Sequence, residues 1–145
     1  MSTWLLDANV IVYCLARDHI LTNPQAAHLH ERLEALDRAL ERAIAAGHRL
    51  LVTPVVVAET LYVLEGAYRY SAAEAVSALL QFVRAPEVDV EDEEAVLAGL
   101  RHHAAGQLDF VDGYLAARAS GEEDVHLLTN DRAIARRTDA RLVEW

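Results

Sequence analysis

The chain contains no lysine, and all 13 of its basic residues are arginine. A nucleotide-binding P-loop depends on a lysine that reaches the phosphates and on a glycine-rich loop around them. The chain lacks such a loop as well, and it has only 6 glycines in total. These two absences exclude an ordinary P-loop nucleotide site.

Cysteine is almost absent too. Cys14 is the only one, so no intramolecular disulfide can form, and we expect a reducing environment. It lies in an apolar stretch and is interpreted as a small buried hydrophobic residue. No run is long and apolar enough to span a bilayer, and Met1–Thr3 has neither the basic region nor the length of a signal peptide. We therefore expect a cytoplasmic protein with no membrane partner.

Basic residues are outnumbered by acidic ones, which gives a formal net charge of -10. Affinity for nucleic acids rests largely on neutralising phosphates, so this charge disfavours indiscriminate binding to polyanions. If the substrate is a nucleic acid, a metal must help to bind it.

Aromatic residues make up only 6% of the chain, although hydrophobic residues make up 53%. Much of the apolar content is alanine, leucine and valine, which favours helices packed around a small sheet. The length of 145 residues predicts a single domain, residues 1–145, of the α/β class.

The chain is organised around residues 4–12, a run that is apolar except for Asp7 and Asn9. Such a run predicts a strand buried on both faces of a parallel sheet, with Asp7 at its carboxyl end. Ligands of open α/β sheets bind outside that end, which gives Asp7 a functional interpretation. The alternative is that Asp7 or Asn9 only caps a helix beginning at Val10.

Strands and helices alternate along the rest of the chain. Helices are predicted over Pro24–Ala46, from Pro54 through Leu61, from Ser71 to before Pro86, from the acidic run 91–94 to about Ala105, from Asp109, and over Arg132–Arg136. Strands are predicted at Arg49–Thr53, Val88–Val90 and Val125–Thr129, with a terminal edge strand at Arg141–Val143. The helix Pro24–Ala46 would be about 34 Å long, so we expect part of it to project or to contact a partner.

Glu59 falls in the second turn of the helix that begins at Pro54. Its apolar neighbours place it close to the expected buried side, where a carboxylate needs a partner or a metal. The alternative is an exposed glutamate that pairs with an arginine.

Aspartates recur at two further helix starts. Asp109 and Asp112 stand three residues apart at the head of a helix and share a face. Either could be an N-cap, and Asp109 suits that position better, which leaves Asp112 without a structural role. Asp131 follows the strand predicted to end at Thr129, so its placement repeats that of Asp7.

A doubly wound sheet would bring Asp7, Glu59, Asp112 and Asp131 into one crevice. Carboxylates gathered in this way persist only with shared protons or with a hard divalent cation. Mg²⁺, or alternatively Mn²⁺, suits such oxygen ligands and commonly acts together with substrate phosphates. The adjacent histidines 102 and 103 cannot face one metal from a regular helix, so no zinc site is expected.

The chain resembles a PIN domain, and more specifically a VapC-type ribonuclease toxin of prokaryotic toxin–antitoxin modules. The resemblance covers nearly the whole chain. It is carried, in order, by Leu6–Val10, Val57–Glu59, Asp109–Asp112 with Ala116–Ala117, and Leu128–Asp131. Each segment alone is weak evidence, whereas four in this order and spacing are specific. The chain departs from compact members of the family in its longer stretch between the first two segments.

The resemblance implies a PIN-like three-layer sandwich with a central, mostly parallel sheet flanked by helices. The resemblance also implies an acidic quartet that binds metal and catalyses the reaction, formed by Asp7, Glu59, Asp112 and Asp131. It implies that Asn9 and Thr129 support this quartet or orient the substrate, and that Asp109 lies just outside it.

The activity implied by the resemblance is Mg²⁺-dependent hydrolysis of RNA phosphodiester bonds, with the ion held mainly by Asp7 and Asp112. The implied partners are an RNA substrate and a VapB-type antitoxin, and a homodimer is expected. One alternative is a PIN-fold nuclease outside such a module, and another is a PIN fold that only binds, although all four acids are present. A phosphoaspartate-type phosphotransferase is disfavoured because it ordinarily uses a lysine.

Overall fold

Three parallel strands form the sheet of this protein. A computed structural model describes residues 1–145. The strands are β1 (Thr3–Leu5), β2 (Arg49–Val52) and β3 (Val88–Val90), in the spatial order β1-β2-β3. Thr3 pairs with Arg49, and both strand pairs are parallel. Since each crossover between neighbouring strands contains helices, the predicted α/β sandwich with a parallel sheet is confirmed.

Eight α-helices and one 3₁₀ segment accompany the sheet. The helices are α1 (Ala8–Leu15), α2 (Arg17–Thr22), α3 (His30–Ala45), α4 (Pro54–Gly66), α5 (Ala72–Val83), α6 (Glu93–Ala104), α7 (Phe110–Gly121) and α8 (Arg132–Arg137). The predicted helix starts at Pro54 and Ser71 are confirmed. The hydroxyl of Ser71 accepts a hydrogen bond from the Glu74 N–H at 3.1 Å and so caps α5. No helix combines the length and apolar character needed to cross a membrane.

The long helix predicted over Pro24–Ala46 is wrong in its first part. Residues Pro24–Leu29 form a 3₁₀ segment, and the α-helix begins only at His30. The side-chain oxygen of Asn23 accepts a hydrogen bond from the Gln25 N–H at 3.0 Å, and the backbone carbonyl of Asn23 accepts one from the Ala26 N–H at 3.0 Å. These short-range bonds favour the tighter 3₁₀ winding at the start of the segment. The 16 residues of α3 therefore extend over about 24 Å.

The prediction that the first strand is buried on both faces is also wrong. β1 lies at the edge of the sheet, and the side chain of Leu5 is 71% exposed. The predicted strand Val125–Thr129 does not extend the sheet. Its Leu127 instead forms one isolated parallel bridge with Leu142, from the predicted edge strand Arg141–Val143. The two segments hydrogen-bond to each other, through Leu127 N–H to the Arg141 carbonyl at 2.7 Å, and neither belongs to the sheet of β1.

Two hydrophobic clusters form the core. The larger joins the sheet to α1, α4, α5, α6 and the start of α7, and it includes Ile11, Val52, Leu64, Leu79 and Phe110. The smaller consists of the buried residues Leu108, Ala116 and Ile134, which hold α8 against α7. The α8 region is thus packed separately from the sheet.

The closest helix contact is between α6 and α7. A Cβ atom added to Gly99 would lie 2.8 Å from the Phe110 carbonyl oxygen, and one added to Gly113 would lie 3.0 Å from the Gly99 Cα. Only glycine allows the two backbones to approach this closely. The crossing fixes the first turn of α7, the turn that carries Asp112.

Candidate active site

A polar pocket of about 430 Å³ lies where the ends of α4 and α6 meet the starts of α5, α7 and α8. The residues that line it are Glu65, Ala72, His103, Gly106, Gln107, Leu108, Asp109, Asp112, Asp131 and Ala133. Four of these carry a carboxylate, one is a histidine and none is an arginine. The pocket is therefore a concentration of negative charge without a permanent positive side chain.

Asp112 lies in the first turn of α7 and is half-buried. Burial raises the pKa of its carboxyl group above the usual value, and the negative charges of Asp131 and Asp109 raise it further. Asp109 occupies the N-cap position, as predicted, but its side chain makes no capping hydrogen bond. The structure therefore brings Asp109 and Asp131 close enough to Asp112 to affect its carboxyl group, and all three line the pocket.

Asp131 is held in place by its own neighbours. Its Oδ1 accepts from the Ala133 N–H at 2.8 Å and so caps α8, while its backbone N–H donates to the Thr129 hydroxyl at 3.0 Å. Its Oδ2 makes no hydrogen bond and is free to contact a ligand. Thr129 thus orients the loop that carries Asp131.

Asp7 and Glu59 do not line this pocket. Asp7 is exposed and caps α1, which begins at Ala8 and not at Val10, and its Oδ1 accepts from the Ala8 N–H at 2.7 Å. Asn9 is exposed on α1. The expectation that all four acids meet in one crevice required Val125–Thr129 to be a strand of the sheet. That segment lies outside the sheet. The roles assigned to Asp7, Glu59 and Asn9 remain predictions.

The expected position of Glu59 near the buried side of its helix is wrong. The buried face of α4 consists of Val57, Thr60, Leu61 and Leu64. At 100° per residue, Glu59 follows Val57 by about 200°, so it projects from the opposite side and is exposed.

Two ionisable residues of the pocket were not predicted as site residues, and His103 was considered only as a zinc ligand. Glu65 and His103 are half-buried, and Glu65 Oε2 lies 2.9 Å from His103 Nε2. Glu65 follows Leu61 by four residues, and His103 follows Leu100 by three. Both spacings place a side chain beside a buried leucine on the same helix face. That flanking position is a usable signal, because polar residues at the edge of an apolar stripe line the crevices between packed helices.

A divalent cation suits the pocket chemically. No group of three or more histidine, cysteine, aspartate or glutamate side chains is positioned to hold a metal. Mg²⁺, however, is commonly held by one or two carboxylates together with water and substrate phosphates. Such a cation would pair with the free Oδ2 of Asp131 and would favour the ionised form of Asp112, whose pKa is raised. It would also supply the positive charge that no arginine provides in the pocket. Asp112 and Asp131 therefore fit a hard divalent ion.

The raised pKa of Asp112 predicts a dependence of stability on pH in the metal-free protein. A carboxyl group whose pKa is higher in the folded state contributes stability when protonated, and that contribution is lost as pH rises through the folded pKa. At neutral pH the ionised group therefore destabilises the fold. Asp112→Asn, which mimics the protonated form, should be more stable than the wild type, and urea unfolding in EDTA measures the difference.

The difference between Asp112→Asn and the wild type should shrink as pH falls and Asp112 takes up its proton. Asp139→Asn is the matched control, because Asp139 is exposed and lies outside the pocket. An Asp112→Asn variant that is less stable than the wild type at neutral pH would contradict the electrostatic account.

The model of the family described as PIN domain matches residues 4–140. No curated protein and no solved structure matches the chain significantly.

Proposed function

This chain belongs to the PIN-domain family, and from that premise we propose that it is a Mg²⁺-dependent endoribonuclease, the toxin of a type II toxin–antitoxin module. PIN domains are generally metal-dependent nucleases. The observation that carries the proposal for this chain is the pocket that Asp112 and Asp131 line together, with no arginine beside them.

The pocket residues have separable tasks in this proposal. Asp112 and Asp131 hold the divalent ion, and the family resemblance adds Asp7 and Glu59 to the acidic set. The ion, when bound, stabilises charge on the phosphate and makes water more acidic. Thr129 keeps Asp131 in place through the 3.0 Å bond to its backbone N–H. Asp109 adds negative charge beside Asp112, and Asn9 orients the substrate.

The first test of the proposal is metal-dependent cleavage of RNA by the purified protein. Total cellular RNA incubated with protein and Mg²⁺ or Mn²⁺ should be cut at internal positions, and sequencing the new ends gives the preferred site. EDTA should stop the reaction, and restored Mg²⁺ should restart it. Cleavage that continues undiminished in EDTA would contradict the proposal, because the ion is required to neutralise the charge between protein and phosphate.

The toxin assignment is a second, separable part of the proposal. A pocket rich in carboxylates suits an arginine from an antitoxin tail, since a guanidinium presents a fork of donors that matches paired carboxylates. An arginine bound there would compete with the divalent ion. The partners proposed are thus RNA and a VapB-type antitoxin, with the toxin acting as a homodimer.

Growth measurements test the toxin assignment. Induced expression should arrest bacterial growth, and co-expression of the protein encoded beside this chain should restore growth. Millimolar Mg²⁺ should weaken the complex of the two proteins, because linkage makes the competition reciprocal. A chain that cleaves RNA in vitro but neither arrests growth nor binds a neighbouring gene product would be a PIN-fold nuclease outside such a module.

A further inference from the structure

The hydrogen-bonded pair of Glu65 and His103 lines the same pocket as the acids but has no role in the proposed metal chemistry. Glu65 near the end of α4 and His103 near the end of α6 are joined by the 2.9 Å contact between Oε2 and Nε2. Their side chains are 30% and 15% exposed. The pair is therefore a partly buried part of the pocket wall.

Each member of the pair keeps one polar atom free. The contact uses His103 Nε2 and Glu65 Oε2, so His103 Nδ1 and Glu65 Oε1 have no hydrogen-bond partner. The only buried side-chain nitrogen or oxygen without a partner is the Thr60 hydroxyl. Nδ1 and Oε1 must therefore be reachable by solvent, and both residues line the pocket.

The charge of the pair restricts which ligand it accepts. Glu65 and His103 together carry a charge of zero when the imidazole is protonated and of minus one when it is neutral. The pair never offers net positive charge to a phosphate, and the other charged residues of the pocket, Asp109, Asp112 and Asp131, are acidic. A neutral hydroxyl group is the better match for this wall.

We propose that the Glu65–His103 pair contacts the ribose 2′-hydroxyl of a nucleotide beside the cleaved bond and thereby selects RNA over DNA. The 2′-hydroxyl is both a donor and an acceptor. It can donate to a neutral Nδ1 or accept from a protonated one, while Glu65 holds the imidazole in place through Nε2. The inference rests on the proposed nuclease function, and it adds to it the sugar that the site requires.

A double-mutant cycle between protein and substrate tests this contact. The substrates are an RNA oligonucleotide containing the mapped cleavage site and matched versions with a single 2′-deoxy nucleotide on either side of the cleaved bond. The variant is His103→Gln, which retains a polar group toward Glu65 but has no atom at the position of Nδ1. One lost hydrogen bond should lower kcat/KM for the all-ribose substrate by about five-fold to ten-fold.

The expected result is that His103→Gln affects the all-ribose substrate and leaves one of the deoxy substrates unchanged. The intrinsic effect of the missing hydroxyl on reactivity cancels in the cycle, because it is the same for both proteins. His103→Asn, which can place a polar atom near the position of Nδ1, should recover part of the preference. His28→Gln, at an exposed histidine outside the pocket, should leave the ratio unchanged.

Binding provides a readout that does not require turnover. With Mg²⁺ present and an uncleavable linkage at the mapped bond, fluorescence anisotropy should show that the all-ribose oligonucleotide loses affinity on His103→Gln and that the deoxy one does not. A variant that weakens both substrates equally, in cleavage and in binding, would overturn the inference and leave the pair a structural link between α4 and α6. A wild type that cleaves no RNA would instead contradict the proposed function, and the effect of His103→Gln on the binding of one sequence made as RNA and as DNA would then decide the sugar contact.

Discussion

Asp112→Asn should lower the rate of RNA cleavage by about a thousand-fold or more, while the protein stays folded. Asp112 is half-buried at the start of α7, and its pKa is raised by burial and by the charges of Asp131 and Asp109. Asparagine preserves the shape of the side chain but removes the negative charge that a divalent ion requires. The ion and the water it activates would be lost together.

Cleavage of a labelled oligonucleotide at saturating Mg²⁺ measures this effect, with circular dichroism to verify the fold. Asp124→Asn is the control that removes the same charge from an exposed position outside the pocket. Its activity should equal that of the wild type. A decrease of less than ten-fold in Asp112→Asn would show that Asp112 does not hold the ion.

Gly99→Ala should destabilise the protein by about 2 kcal/mol, since crowding a tightly packed contact costs roughly 1–3 kcal/mol. The new methyl group would lie 2.8 Å from the Phe110 carbonyl oxygen and 3.0 Å from the Tyr114 backbone nitrogen. Both are main-chain atoms and cannot rotate away. The net value of about 2 kcal/mol combines a crowding cost of about 3 kcal/mol with an offset of about 1 kcal/mol from the better helix propensity of alanine. The midpoint of thermal unfolding should therefore fall by about 6 °C.

The Gly99→Ala variant should also lose nuclease activity, because separating α6 from α7 displaces the turn that carries Asp112. Gly121→Ala is the matched control at the end of α7, where an added Cβ meets nothing within 4 Å. Its stability should be unchanged or slightly higher. If Gly99→Ala unfolds at the same temperature as the wild type, the two helices do not approach as closely as the structure indicates.

The sequence predicted local features well where one signal determined the outcome. Pro54 marks a helix start because proline suits the first helical position, and Ser71 marks another because its side chain caps α5. Asp112 enters the pocket because the start of α7 fixes its direction. Such features depend on a few neighbouring residues and can be read from their order.

The features that the sequence did not predict depend on which distant segments pair. The apolar residues of β1 are equally compatible with a central strand and with an edge strand, and only the position of the segment Val125–Thr129 decides between them. Because that segment bridges to Leu142 instead, Leu5 is exposed and Asp7 does not line the pocket. Glu65 and His103 were missed for a related reason, since their contact joins helices 38 residues apart in sequence.

The register of the sheet has a consequence for synthesis of the chain. β1 is made before its partner strand β2, because Thr3 pairs with Arg49, which lies 46 positions later in the chain. At a translation rate of roughly 5–20 residues per second, β1 exists without its partner for about 2–9 s. During that interval its backbone can pair with another nascent chain. A strand of only 3 residues offers few hydrogen bonds to such a neighbour, so the shortness of β1 protects the emerging protein from association on the ribosome.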